Sequence, residues 1–372
     1  MIPTANDKPL FTPGPLTTSR TVKQAMLRDL GSRDHELVAM VREIRAELLR
    51  LGGVSQEAGY ETVLMQGSGT FGVESVISSA VPRGGRLLVL VNGAYGRRIA
   101  QMARIHGIGV TTVESAEDQA PDVADVATAL DADPGLTHVA VVHCETTTGI
   151  LNPVAGVCRV ARERGRATIV DSMSAFGAIP IDVGSLGIDF LVSSANKCIE
   201  GVPGFSFVIA RREALLAATA GRTLSLDLLD QWRGLEGNGQ FRFTPPTHTL
   251  IAFHQALREL RDEGGVEGRH ARYAANHAVI LEGMVALGFE PTLRPELMAP
   301  IITSFRYPGG WFDFPAFYDR LNERGFVIYP GKLSQADAFR IGNIGRLFPS
   351  DMRALLAAVA DVVSDMKRLA EA

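Results

Sequence analysis

Six short apolar runs punctuate the first 210 residues of the chain: "VLMQ", "RLLVLV", "THVAVV", "ATIVD", "DFLVSSA" and "SFVIA". They lack the apolar–polar alternation of a strand with one face in water. Unbroken apolar strands are expected where both faces of a sheet are covered, and helix-length segments separate most of these runs. Strands alternating with helices predict an α/β fold, a largely parallel sheet with helices on both faces. At 372 residues the chain is too long for one small core, so a large domain and a smaller one are expected.

The helices are legible by spacing. Leu37, Met40, Val41, Ile44, Leu48 and Leu51 recur at intervals of three and four, which predicts a helix over 35–51. Further helices are predicted over 153–164, in "LIAFHQALREL" and over 269–287. From about residue 290 the pattern changes to "IITSFRY", a helix near 315–324, "FVIYPG" and "AFRIGNIG", which reads as a smaller α+β domain. The expected division is an N-terminal segment over 1–20, a large domain over 21–265 and a small domain over 266–372.

A net charge of −4 gives no basic surface for nucleic acid or an anionic membrane. No apolar run reaches spanning length, and "MIPTANDKPLFTPGPL" lacks the apolar core of a secretory signal, so a cytoplasmic protein is expected. Cys144, Cys158 and Cys198 follow no metal-ligand spacing, and they read as reduced thiols in the core or a site wall. No metal is expected.

Ligands of open parallel sheets bind outside the carboxyl ends of the strands. Four such ends carry suggestive residues. In "QGSGTFGVE", Ser68, Gly69 and Thr70 stand where a helix begins, which suits a phosphate; an ordinary N-cap turn explains the same residues. In "NGAYG", Tyr95 can stack on a flat ring, or simply pack on the sheet. Asp171 ends "ATIVD", where a buried carboxylate needs a partner, or caps the next turn. Lys197 in "SSANKCIEG" follows a buried strand. Burial would lower its pKa toward the neutral amine that Schiff-base chemistry needs, whereas pairing with Glu200 or snorkelling to solvent would make it ordinary. Together, the four are the parts needed to hold pyridoxal 5'-phosphate.

At this point the chain resembles the class V aminotransferases, fold-type I pyridoxal-phosphate enzymes. The resemblance runs almost end to end. It is carried by "LFTPGPLTTSRTVKQAML", "GSGTFGVE", "NGAYG", "HCETTTGILNP", "IVDSMSAFG", "SSANKCIEGVPGFSFVIAR", "SLDLLDQWR", "FTPPTHT" and "GFVIYPGKLSQADAFRIGNIG". It implies a mostly parallel seven-stranded sheet in the large domain. It implies that Lys197 is the Schiff-base lysine and then the proton carrier, that Asp171 pairs with the pyridine nitrogen, and that Tyr95 stacks on the ring. Ser68, Gly69 and Thr70 would hold the phosphate with Asn196 nearby, and Thr146 would approach the ring hydroxyl. Thr244 would complete the phosphate site of a second subunit, making the enzyme a homodimer. Arg340 would take the substrate's acid group, with backbone N–H groups of "TPGP" assisting.

Within that family the resemblance is closest to the branch acting on 2-aminoethylphosphonate and pyruvate, which implies phosphonoacetaldehyde and L-alanine as products, in phosphonate catabolism. Members acting on alanine or serine with glyoxylate would share every cofactor residue, and a non-catalytic sensor on the same fold would lack the need for a full set. One departure is "GSRDHEL", where some members have a Cys-Thr-Trp-Asp stretch. Arg33 there is either a second anion contact or, as expected, structural.

Overall fold

The computed structural model describes residues 7–331, 333 and 337–371. Residues 332 and 334–336, inside the motif "GFVIYPGKLSQADAFRIGNIG", lie outside the described residues, as do the first six of the N-terminal segment. The strands of the large lobe are β1 (Tyr60–Gln66), β2 (Arg86–Val91), β3 (Gly109–Glu114), β4 (Leu136–Val142), β5 (Cys144–Glu145), β6 (Ile150–Leu151), β7 (Ala167–Asp171), β8 (Phe190–Ser194) and β9 (Phe205–Arg211). Seven of them form one sheet in the order β1-β9-β8-β7-β4-β2-β3. The pairs β2–β3, β2–β4, β4–β7 and β7–β8 are parallel, while β9 runs antiparallel to β8 and β1. The reversal at β9 has a local cause. Residues 195–204 join β8 to β9, too few to cross back over the sheet, so the chain turns and pairs beside itself.

Apolar side chains on both faces of these strands are buried, among them Leu88, Val141, Ile169, Val170, Leu191 and Val208. Helix Gly69–Ala80 lies close on the sheet because Gly72 has no side chain; a Cβ there would stand 2.6 Å from Ser206 Oγ. A second core collects Phe289, Phe305, Phe312, Phe317 and Phe339, with Leu355, Val359 and Val362 of helix Pro349–Glu371. Phe289 meets Phe339 edge-on at 5.4 Å, a favoured aromatic geometry. Its sheet is antiparallel, β10 (Ile302–Arg306), β12 (Ala338–Gly342) and β11 (Tyr329–Pro330), with β12 in the middle. Arg340 therefore lies on a central strand, opposite Ser304 and Tyr329.

The predicted helices are present as His35–Leu51, Val154–Glu163, Thr247–Asp262, Gly265–Ala286 and Phe314–Glu323. Two segments hold less regular structure than their apolar runs suggest. "THVAVVHCETTTG" does not pass from strand to helix; the β5–β6 hairpin stands between them. "FVIYPG" supplies only the two-residue β11, because Val327 bridges Leu10 and its carbonyl accepts from Phe11 N at 2.8 Å. Through these bonds the N-terminal segment is strapped to the small lobe and carried past the sheet ends. Among the described residues, no helix is long and apolar enough to cross a membrane.

Candidate active site

Lys197 sits in the β8–β9 connection, held by a tight turn. Glu200 N donates to Lys197 O at 2.7 Å, and Gly201 N to Ala195 O at 3.0 Å. The ammonium does not pair with Glu200. Its Nζ donates to the carbonyl of Pro13 at 2.6 Å, on the N-terminal strap. Gly14 makes that approach possible, since its φ is +111° and a Cβ would stand 2.9 Å from Nζ. Burial lowers the Lys197 pKa to about 8; Arg340 pushes the same way, and the negative charge of Asp171 opposes it.

Asp171 is the last residue of β7 and is buried. Its Oδ1 accepts from Met173 N at 3.0 Å. Burial raises its pKa to about 6, which the Met173 N–H resists and the nearby Glu145 reinforces. Asp171 and Lys197 line one cavity of about 200 Å³ together with Ser68, Gly69, Thr70, Tyr95 and Asn196. The parallel sheet makes this convergence: β1, β2, β7 and β8 all end on the same side.

The cavity floor is the start of helix Gly69–Ala80. Ser68 occupies the N-cap position, yet its side chain makes no capping hydrogen bond, so the hydroxyl and the first N–H groups are left for an anion. A Cβ at Gly69 would run into the Met173 sulfur, which explains the glycine. Thr70 Oγ1 accepts from Arg98 Nη1 at 3.2 Å, and the Arg98 guanidinium lies 5.1 Å from the Tyr95 ring centroid.

Arg340 is fully buried. Nε donates to Pro330 O at 2.9 Å and Nη1 to Thr146 O at 2.8 Å, with the guanidinium 4.9 Å from the Tyr329 ring centroid. Nη2 makes no well-aligned hydrogen bond with the described residues, although the Tyr95 side chain lies near enough to support the guanidinium charge. Arg340 is not among the residues lining the cavity. Thr146 contributes its carbonyl to Arg340 and is not among the residues lining the cavity. Thr244 is exposed and also outside it; its carbonyl accepts from Gln66 Nε2 at 3.1 Å. Arg33 is exposed, in the loop whose Asp34 caps helix His35–Leu51. Of the "TPGP" amides, Gly14 N points to its neighbour Thr12 Oγ1 at 3.4 Å.

Residues 18–328 match the family described as Aminotransferase class-V. The chain belongs to the class V aminotransferases. A relative from Vibrio vulnificus (strain CMCP6), named 2-aminoethylphosphonate--pyruvate transaminase, is 54% identical over 95% of this chain and 97% of its own. One from Bacillus cereus (strain ATCC 10987 / NRS 248) with the same name is 52% identical over 96% and 98%. Among solved structures, the alanine--glyoxylate aminotransferase of Nostoc sp. superposes with a TM-score of 0.88 at 27% identity, covering 96% of both chains. The ureidoglycine-glyoxylate aminotransferase of Bacillus subtilis gives 0.89 at 22% identity over 98% of this chain and 94% of that one, which speaks to fold alone.

Three neighbours of these residues escaped sequence reasoning. Arg98 lies in an ordinary amphipathic helix start. The Pro13 carbonyl that receives Lys197 is 184 residues away. Glu145 is buried, and its carboxylate accepts from Tyr95 N at 3.0 Å and Thr147 Oγ1 at 2.6 Å. It caps the helix that carries Tyr95, and burial raises its pKa. Its position inside "HCETTTG" was the available signal.

Proposed function

We propose that this aminotransferase moves the amino group of 2-aminoethylphosphonate to pyruvate, giving phosphonoacetaldehyde and L-alanine, with pyridoxal 5'-phosphate as cofactor. The chemistry rests on one observation, that Lys197, Asp171 and the open Ser68–Thr70 cradle share a single cavity. The choice of donor and acceptor rests on relatives of that name more than half identical over nearly their whole length.

The residues fit the cofactor. A helix start with an uncommitted hydroxyl suits its phosphate, Asp171 suits its ring nitrogen and Tyr95 its face. When bound, pyridoxal phosphate supplies a carbonyl for an amine and a ring that accepts an electron pair from the substrate carbon. With its pKa near 8, Lys197 is partly neutral at physiological pH and can take a proton from the donor's amine-bearing carbon and later return one to the carbon of pyruvate. Asp171, ionised above about pH 6, keeps a proton on the ring nitrogen. Arg340 orients the acid group of each substrate in turn, Asn196 borders the site, and the Thr146 carbonyl holds the Arg340 guanidinium. Three buried thiols, Cys144, Cys158 and Cys198, suit a reducing compartment such as the cytoplasm.

Arg340 carries the test of substrate recognition. Phosphonate and carboxylate each offer oxygens to a bidentate fork, whereas lysine offers a point charge. Arg340→Lys should lower kcat/KM for both substrates and Arg340→Ala should lower it further, by roughly 2–5 kcal/mol in transition-state stabilisation. The visible spectrum of the holoenzyme should persist. Loss for one substrate only would assign each anion its own pocket, and loss for neither would remove Arg340 from the site.

The proposed active unit is a homodimer. Thr244 is exposed beside the Gln66–Gly67 turn, flanked by Phe71 and Phe243, which are 49% and 45% exposed. A second copy covering these rings would bring Thr244 to its own cradle. Mixing Thr244→Val with Lys197→Ala chains tests this. Hybrid dimers should regain one site of normal cofactor affinity, because the Lys197→Ala chain lends its Thr244. No recovery in verified hybrids would place Thr244 elsewhere.

A further inference from the structure

The turn that presents Lys197 ends in a charged residue that the chemistry above does not use. Glu200 is buried, and its φ of +65° is the only left-handed backbone of a non-glycine residue among the described residues. A side chain is disfavoured there and persists only where the surroundings hold it. Those surroundings are specific. Glu200 Oε1 accepts from Arg272 Nη2 at 2.7 Å and from the Tyr273 hydroxyl at 2.6 Å, and lies 3.4 Å from Arg269 Nη1. Arg269 also donates to the carbonyl of Cys198, next to the lysine. Glu263 neutralises both guanidiniums from the other side, at 2.8 Å from Arg269 and 2.6 Å from Arg272.

The same helix, Gly265–Ala286, also holds residues 343–347. Arg272 Nη1 donates to Gly345 O at 2.5 Å and Leu347 O at 2.9 Å, and Gly345 N donates to the Tyr273 hydroxyl at 3.0 Å. Asn343 Nδ2 donates to Tyr273 O at 3.1 Å. Residues 343–347 directly follow β12, the strand of Arg340. An unbroken set of hydrogen bonds thus runs from the Lys197 turn through Glu200, Arg272 and Tyr273 to the residues that directly follow the strand of Arg340.

We propose that Glu200 is a positioning residue that fixes the separation between Lys197 and Arg340. The inference rests on the proposed roles of those two residues. A substrate whose acid group is held by Arg340 must present its reacting carbon to Lys197, and a small shift between the two lobes misaligns that pair. The left-handed backbone at Glu200 accompanies this arrangement, in which the carboxylate meets both donors.

Amide hydrogen exchange of the holoenzyme tests the coupling without substrate. Glu200→Ala should speed exchange in 195–203 and in 341–348 together, although they lie in different lobes. It should lower kcat by roughly tenfold to a hundredfold while the cofactor spectrum is kept. Glu200→Gln keeps an acceptor oxygen for Arg272 and Tyr273 and should restore both readings. Tyr273→Phe, which removes one bridging hydroxyl and serves if Glu200→Ala does not fold, should also loosen both segments. Faster exchange in 195–203 alone, or in neither segment, would overturn the proposal. A wrong substrate assignment would alter the kinetics and leave the exchange result standing.

Discussion

Lys197→Ala should leave a folded protein that cannot hold the cofactor covalently. Borohydride should fix no pyridoxyl group to the peptide containing residue 197, and turnover should fall by more than the roughly 10²–10⁴-fold that a positioned acid–base group contributes. In the proposed mechanism one atom has two tasks, bonding the cofactor's carbonyl and carrying the proton. No neighbour replaces it: Cys198 and Cys144 are buried thiols, Cys198 pushed up to about 12, and neither is a base near neutral pH. The apoenzyme's stability gives a second reading. Burial holds the folded lysine near 8, against 10.5 for an unfolded one, so between those values the unfolded chain binds more protons and stability rises with pH. Lys197→Met should therefore be more stable than the wild-type apoenzyme below pH 8, and the gap should close by about pH 10.5. A fixed adduct elsewhere in the chain, or a gap that ignores pH, would contradict the assignment.

Asp171→Asn should lower the single-turnover rate by several orders of magnitude while strengthening the fold of the apoenzyme. Asparagine can still accept from the Met173 N–H, so the strand end should keep its shape. It cannot hold a proton on the ring nitrogen, and the ring is then a poor electron acceptor. The stability effect has the opposite sign to the rate. Burial raises the folded pKa to about 6 from 3.8, so the folded state binds the extra proton in that window and stability falls as pH rises through it. Above pH 6 the full cost of the buried charge is present, at most about 3 kcal/mol, and asparagine removes it. The advantage should vanish below pH 3.8. Near-normal single-turnover kinetics in this variant would remove Asp171 from the chemistry.

Legibility in the sequence followed sequence distance. Asp171, Lys197, Tyr95 and Ser68–Thr70 were readable because each stands just past an apolar run, and a parallel sheet brings such ends together. The strand "GVTTVE" was not read, because as β3 it is an edge strand whose polar, half-buried pattern resembles a loop. Helices Val123–Ala132, Leu228–Asn238 and Pro349–Glu371 were also passed over, although the last supplies much of the second core. The partners of Lys197 and Glu200 could not be read at all. The Pro13 carbonyl and the Arg272–Tyr273 pair meet these residues only through tertiary structure, at separations of 184, 72 and 73 residues. Glu200, which sequence offered as the partner of Lys197, serves the lobe contact instead. The residue types predicted chemistry, and the fold decided which of them are neighbours.

The central claim is that one cavity exchanges an amino group between 2-aminoethylphosphonate and pyruvate. The most direct test is the visible spectrum of the purified holoenzyme during separate half-reactions. With 2-aminoethylphosphonate and no acceptor, the absorbance of the aldehyde form should convert to that of the amine form, with one phosphonoacetaldehyde released per site. Pyruvate added afterwards should reverse the change and release L-alanine. Conversion by alanine or serine with reversal by glyoxylate, and none with 2-aminoethylphosphonate, would contradict the substrate assignment; no conversion with any donor would contradict the transaminase chemistry itself.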